Sequence, residues 1–409
     1  MGALRERTFR VLFAGQAASS FGNALVPVAL AFAVLRLTHS AADLGFVLGA
    51  EAVANVAIVL FGGVVADRFS RRGVMVAADS LRGAGEVSLG VILITAHPPL
   101  ILVAVLAAIQ GIGSAMFSPA ASGFTPAVVS TEYLQQANAL RQTANAVASV
   151  IGPAVAGVCV ATVGAGWAIL ADGATFLVNV VALVRIDVEV PRRQRATSML
   201  TDLRAGWAYF ARRKWFRTMV IGASLFNLLY GAYLVLGPVA SLRLYSGVAM
   251  WAVSSVAAGI GSIAAGLAIA KTSGRRNWSL RSAVALVALF ALAPSLMAIH
   301  AVLAAVAAAA AVGGGGVTAF AAIWETTIQQ QIPEHLRSRA LSYDYFGSLV
   351  ALPAGLAMTG PLVAVIGIKP LLWLVAVAEI LTIAVLTASS SIRTFARQPR
   401  PLGDGGQAR

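Results

Sequence analysis

Asp79, Arg82 and Glu86 stand at i, i+3 and i+7, a spacing that puts one base and two acids on a single helix face. They interrupt a stretch, 74–96, that is otherwise apolar enough to lie in a membrane. An ionisable side chain at the centre of a bilayer costs at least ~2.5–3.5 kcal/mol on insertion scales, so each such residue is a functional candidate. Asp79 and Arg82 can neutralise each other, which leaves Glu86 as the surplus acid. Glu51 lies midway along another apolar stretch, 42–66, with Asn55 one turn further on the same face. Glu325 follows Trp324 at the end of 301–325, and Asp344 stands early in 340–366 between Tyr343 and Tyr345. Desolvation disfavours the charged form of a carboxyl, so an acid alternately exposed and occluded can release and regain a proton. Reversible protonation is therefore the chemistry these residues offer. Arg141, with Asn145 a turn above it, can sense the charge of a ligand or lock a gate. Gln110, Asn227, Tyr230 and Tyr233 can give an apolar cavity a mildly polar lining.

Other chemistries lack their parts. Cys159 is the only cysteine, so no intrachain disulfide and no cysteine-based zinc or redox motif can form; the residue suits a small buried apolar role. No G-x-x-x-x-G-K-[ST] phosphate loop appears, no His and carboxylate cluster suggests a metal, and no nucleophile–base pair suggests hydrolysis. The chain is not expected to be an enzyme or to need a cofactor, and an ion gradient is its expected energy source.

The elements that must position these groups follow from composition. Of 409 residues, 59% are hydrophobic and 11% charged, with a mean hydropathy of +0.83. A water-facing domain carries about 25% charged residues, so most of this surface faces something else. Runs such as 283–299, 301–324 and 370–386 hold almost no charge, and about 20 apolar residues cross a bilayer as a helix. Backbone groups in lipid must bond internally, and the prevalence of Ala, Leu, Val and Gly favours helices over a barrel. Apolar runs between polar punctuation place twelve spans at 9–35, 42–66, 74–96, 99–118, 138–163, 165–186, 217–242, 247–270, 280–299, 301–325, 340–366 and 370–390. The expected fold is an all-α integral membrane protein. Arg5, Arg7 and Arg10 precede a first segment, 11–35, too long for a cleavable signal, so it is expected to remain as the first span.

Charge gives orientation. Apart from Arg82 within its span, 26 of the 30 Lys and Arg fall in or beside one set of alternate connections and termini, leaving only Arg36, Arg243 and Lys369 on the other. That bias predicts a multi-pass protein of the cell membrane with both termini cytoplasmic. The net charge of +14 then faces the anionic lipid of the cytoplasmic leaflet rather than nucleic acid. One long Arg-rich connection divides the chain into a six-helix half (1–187), a cytoplasmic linker (188–216), a second six-helix half (217–391) and a disordered cytoplasmic tail (392–409). Within the linker, Leu200, Leu203, Trp207, Phe210 and Ala211 recur at helical spacing among arginines, as in a helix lying in the membrane interface. The halves echo each other. Glu132-Tyr133-Leu134 with Ala139-Leu140 corresponds to Glu334-His335-Leu336 with Ala340-Leu341, and Ser70-Arg71-Arg72 to Gly274-Arg275-Arg276. Duplication of this kind places a site at the interface of the repeats.

The sharpest local pattern lies between the second and third spans, where Gly63, Asp67, Arg68, Arg71 and Arg72 read G-x-x-x-D-R-x-S-R-R. A glycine lets helices approach closely, and a carboxylate at the membrane edge can face an Arg or a helix N-terminus. With Ser70 where a glycine is usual, the pattern resembles the signature loop of the major facilitator superfamily. Gln16, Ser19 and Gly22, Thr38-His39-Ser40-Ala41, Asp79 with Arg82, and Ala137-Asn138-Ala139-Leu140 resemble its macrolide-efflux and enterobactin-exporter branch. So do Asp172 with Thr175-Phe176-Leu177, and Gln331-x-Pro333 with Leu336-Arg337-x-Arg339. Gly152, Pro153 and Gly157 resemble the exporter motif of the fifth helix, although Ala148 and Ala156 stand where glycines are usual. Gly and Pro there permit a close, bendable helix contact.

The resemblance implies two pseudo-symmetric six-helix bundles that rock about a central site. Its cavity-lining helices make Glu51, Glu325 and Asp344 the proton-coupling candidates, with Glu86 next. Asn23, Asn55, Gln110, Arg141, Asn145, Asn227, Tyr230, Tyr233 and Trp324 are the cavity candidates, and Asp67 is expected to act on gating. Asp172 and Glu379 fall on helices peripheral in that fold and are expected to be structural. Much of the branch carries an acid just after the first-helix glycine; this chain has Asn23, so another carboxylate is expected to couple the proton. The implied activity is proton-driven efflux of amphipathic drugs or natural products by a monomer, with the small-molecule substrate and membrane lipid as its partners. Two readings stand beside it: export of one endogenous metabolite or siderophore, and a receptor or scaffold that kept the fold without transport.

Overall fold

The computed structural model describes residues 3–68, 70–186, 210–272, 279–332 and 343–395, which form helices and short 3-10 turns and no strand. The first half comprises α1 (Arg7–Thr38), α2 (Ala41–Arg68), α3 (Arg71–Thr95), α4 (Leu100–Phe124), α5 (Leu134–Thr162) and α6 (Ala165–Val184). The second begins with α7 (Lys214–Tyr245) and α8 (Ala249–Thr272), then a broken ninth span made of α9 (Leu280–Val287) and α10 (Leu292–Ala298). It continues with α11 (Leu303–Gln331), α12 (Leu352–Ile366) at the end of a span that starts at Tyr343, α13 (Ile368–Ala388) and the short α14 (Ser390–Phe395). The linker over 188–209, the tail beyond 395, Gly274-Arg275-Arg276 and the second-half repeat at 334–341 lie outside the described residues.

Among the described residues, eleven spans are long and apolar enough to cross a membrane. The twelfth is α3, whose 25 residues suffice in length but carry Asp79, Arg82 and Glu86. These three are only 0%, 5% and 4% exposed, in a helix packed between α4 and α6. The charges thus point into the bundle and α3 shows lipid an apolar remainder. The ninth span breaks at Pro294, which has no N–H for the carbonyl of Phe290, and residues Ala288–Ala291 tighten to a 3-10 turn.

The duplication is visible in the helix ends. Helices α1 and α7 both run 32 residues, contain a proline (Pro27, Pro238) and close on a left-handed residue, His39 at φ 54° and Ser246 at φ 55°. Helices α6 and α13 both start from a glycine of positive φ, Gly164 at 104° and Gly367 at 85°, where a side chain would strain the backbone.

The halves meet along two seams, α2 against α12 and α5 against α8. Small residues bring the backbones together there. A Cβ at Gly45 would strike the Leu356 carbonyl, and one at Gly360 the backbone of Ala42. Likewise a Cβ at Gly157 would lie 2.7 Å from the Ala252 methyl, and one at Gly259 2.9 Å from the Ser149 carbonyl. The apolar packing is asymmetric along the bundle. At the end away from the termini, one continuous core joins Phe32 and Leu44 of the first half to Leu236, Trp251 and Leu356 of the second. At the end carrying the termini the cores are separate, around Leu12 and Phe124 in one half and Met219 and Phe216 in the other. Among the described residues, the two halves therefore share one apolar core at one end and keep separate cores at the other.

Candidate functional site

A cavity of about 650 Å³ is walled mostly by the second half, through α7, α8, the ninth span, α11, the eleventh span and α13, and is bounded on the first-half side by α1 and α5. Its wall is largely aromatic. Tyr233 packs edge-on against Trp251 and Phe290, with ring centroids 5.4 and 5.0 Å apart, and Tyr230 stacks on Phe226 at 5.9 Å. Asn227, Ser254 and Asp344 add polar groups to this lining. Trp324 Nε1 donates to Asp344 Oδ2 at 3.0 Å, and Phe216 stacks on the same indole at 6.0 Å. A space of this size, apolar with a few convergent polar groups, matches a site for a drug-sized ligand.

A second centre lies inside the first half, around Arg82. Its Nε donates to Gln110 Oε1 at 2.9 Å, Nη1 to Asp79 Oδ1 at 3.4 Å and Nη2 to Asn23 Oδ1. The guanidinium also sits 4.0 Å from the centre of the Phe176 ring. Asn179 Nδ2 donates to the other oxygen of Asp79 at 2.6 Å. Glu51, Glu86 and Asp172 lie within electrostatic reach of the same guanidinium. One buried cation thus faces four acids. Asp79 and Arg82 pair as their i, i+3 spacing suggests, and Glu86 is the acid left over, its Oε2 buried with no hydrogen-bond partner among the described residues. Asp172 and Asn179 on α6 complete the cluster, which the spacing along α3 alone does not reveal. Their signal was present, since Asp172, Thr175 and Asn179 repeat on α6 the i, i+3, i+7 spacing of α3.

Other predicted residues find different places. Asn23 and Gln110 belong to the Arg82 network rather than to the central cavity, because both are drawn to a buried guanidinium that needs acceptors. Asn55 donates to the Gly111 carbonyl at 3.2 Å, across the close α2–α4 contact where Glu51 also sits half-buried. Neither lines the central cavity. Arg141 and Asn145 border a smaller polar pocket of about 260 Å³ within the first half. Glu325 is exposed and off the cavity wall, about 100° around α11 from Trp324. Glu379 is 1% exposed, with both oxygens lacking a hydrogen-bond partner among the described residues. Gly152 and Pro153 stand where α5 crosses α1, a Cβ on Gly152 meeting Ala24, and Pro153 reaches the central cavity.

In the signature loop, the side chains of Gly63, Asp67 and Arg68 lie outside the described residues. Arg71 is half-buried. Arg72 closes the end of α6, its Nε donating to the Leu183 carbonyl at 2.9 Å and its Nη2 to that of Val184. Ser70 adopts φ −65°, so no glycine is required, and its Oγ caps α3 by accepting from Gly73 N at 3.1 Å.

The sequence profile of the Major Facilitator Superfamily matches residues 12–343. An enterobactin exporter of Salmonella paratyphi A is 28% identical over 426 aligned positions, which take in 97% of this chain and 96% of that protein. Among solved structures, a mutant of the nucleoside transporter NupG aligns with a TM-score of 0.77 at 12% identity, covering 93% of this chain and 99% of that one. A bacterial homolog of the human lysosomal transporter Spinster, in an inward-facing and unoccupied conformation, aligns with a TM-score of 0.76 at 13% identity, covering 98% and 100%. At such identities these structures speak to the fold alone.

Proposed function

Because the chain belongs to the Major Facilitator Superfamily, we propose that it exports an amphipathic small molecule by alternating access, coupled to the entry of protons. The observation that carries this reading is the central cavity, which is joined over by a shared core at one end and flanked by separate cores at the other. With both termini cytoplasmic, as the basic residues favour, this is the state that loads cargo from inside the cell. Rocking about the glycine-lined seams α2–α12 and α5–α8 would reverse the opening. The aromatic wall suits a ligand with flat apolar parts.

Two groups of acids support the coupling. Asp344 stands on the cavity wall, where loaded substrate and a proton would compete for the same space. The four carboxylates around Arg82 outnumber their cation, so this cluster is well supplied to take up protons as the halves rock.

A second reading is dedicated export of one endogenous siderophore, and the enterobactin exporters among the relatives favour it. Purified protein in proteoliposomes tests both. Counterflow of ethidium supports broad amphipathic export, and counterflow of enterobactin without ethidium supports the dedicated exporter. Failure of both probes to move would leave the fold as a receptor or scaffold and overturn the proposal.

A further inference from the structure

We propose that the small pocket inside the first half is a subsite for an anionic group carried on an aromatic ring, with Arg141 as its principal charge. The pocket, about 260 Å³, is bordered by Gln16 and Asn23 of α1, Arg82 of α3, Phe117 of α4, and Arg141 and Asn145 of α5. Arg82 is already matched by Asp79. Arg141 is not: it donates to Thr125 Oγ1 at 2.8 Å, and no carboxylate among the described residues pairs with it. A guanidinium set in a partly enclosed pocket without a counter-ion is poised for a carboxylate or phenolate, which its planar fork can bind through two hydrogen bonds.

Gln16 supplies an independent sign. It is 8% exposed, it borders the pocket, and both its Nε2 and Oε1 are buried with no hydrogen-bond partner among the described residues. Native structures rarely leave a buried amide unpaired, and a turn of the Gln16 side chain toward the pocket it borders would bring its Nε2 donor to a ligand oxygen. Phe13 and Phe117 provide apolar surface against which a ring can lie.

The pocket's position says how it would be used. Asn23 and Asn145 border it, whereas Ala24, Pro27 and Ser149 border the central cavity. Along α5, Ser149 stands one turn beyond Asn145, on the same helix face. The two spaces therefore follow one another along α1 and α5, the smaller lying nearer the end that carries the termini. Drug-sized ligands occupy about 300–1,000 Å³, so the pocket admits a single ring with its anionic group while the central cavity holds the body of a longer molecule. The inference deepens the export reading, and rests on it, by giving the cargo a charged aromatic end.

Isothermal titration on the purified full-length protein tests the site without requiring transport. The probes are salicylate and its neutral counterpart salicylamide. The expected result is about tenfold tighter binding of salicylate, as one charge-assisted hydrogen bond would give. That preference should vanish in Arg141→Gln and persist in Arg141→Lys. Gln16→Leu should weaken salicylate binding with Arg141 intact, and it decides the matter should Arg141→Gln fail to insert. Equal affinities in the parent, no binding of salicylate at millimolar concentration, a preference that survives Arg141→Gln, or an unchanged affinity in Gln16→Leu would overturn the proposal. A salicylate preference in a protein that moves neither ethidium nor enterobactin would sink the export reading alone; flux without the preference would sink this one alone.

Discussion

Trp324 Nε1 donates to Asp344 Oδ2 at 3.0 Å, so a carboxylate on the wall of the central cavity is held in place by the span beside it. Asp344→Asn keeps an acceptor for the indole but removes the acid. The expected variant still equilibrates substrate downhill and no longer accumulates it when a pH difference is imposed. Trp324→Phe, which keeps the acid and loses its anchor, should lower the rate several-fold yet remain driven by pH. Glu51→Gln and Glu325→Gln serve as comparisons, and Glu325→Gln should change least because that side chain is exposed. If Asp344→Asn pumps uphill as well as the parent, the coupling acid lies elsewhere, with the Arg82 cluster next in line.

Arg82 is the charge that the first half is built around. Arg82→Gln leaves Asp79 buried without its ion pair and strips hydrogen bonds from Gln110 and Asn23. Removing one partner of a buried pair costs about 3–5 kcal/mol, so the thermal unfolding midpoint should fall clearly. Adding Asp79→Asn should recover part of the loss, since both charges are then gone. Arg82→Lys should fall between, because an ammonium keeps the charge but not the fork that reaches three acceptors. An Arg82→Gln protein as stable as the parent would remove this network from the account of the fold.

The seam between α2 and α12 should be intolerant of bulk. A side chain at Gly360 has nowhere to go but into the backbone of Ala42, so Gly360→Val should pry the halves apart at the end away from the termini. Transport is expected to drop at least about tenfold while membrane insertion is unchanged, a loss of roughly 1.4 kcal/mol or more in barrier terms. Val28→Cys, placed on the cavity wall where the residue is 2% exposed, should then react with an impermeant thiol reagent added outside. Native Cys159 must first be replaced by alanine. Normal flux in Gly360→Val would show that the close approach is dispensable.

Orientation is open to the same chemistry. In the Cys159→Ala background, cysteines at Pro98, Gly164 and Ser246 should label from outside the cell, and cysteines at Arg71, Arg193 and Arg337 should not. External labelling at Arg193 would invert the whole arrangement, since that position lies in the most basic connection of the chain.

Much of the fold is legible in the sequence because lipid imposes a simple rule on every span: about 20 apolar residues, all hydrogen-bonded internally. The polar face of α3 is legible too, because helical spacing alone puts Asp79, Arg82 and Glu86 together. What those residues meet is not. Asn179 lies 100 positions from Asp79, and only packing of α3 on α6 brings its amide to 2.6 Å. Asn23 and Gln110 show the same limit from the other side. Hydropathy says they face inward, but a half of this protein has an interior of its own, and they serve that interior instead of the space between the halves. Glu325 fails by a single step of helical register, its neighbour Trp324 taking the place on the wall. The break in the ninth span follows from Pro294, whose missing N–H a hydropathy scan does not weigh.

Proton coupling is the centre of the account, and one measurement addresses it directly. Proteoliposomes carrying the purified protein are given an imposed pH gradient, and ethidium and enterobactin are offered to the side that protons enter. The account predicts that at least one of them accumulates against its own gradient, that accumulation stops when an ionophore collapses the pH difference, and that Asp344→Asn only equilibrates the compound. Movement of both compounds that ignores the pH gradient, in a parent protein active in counterflow, would contradict it.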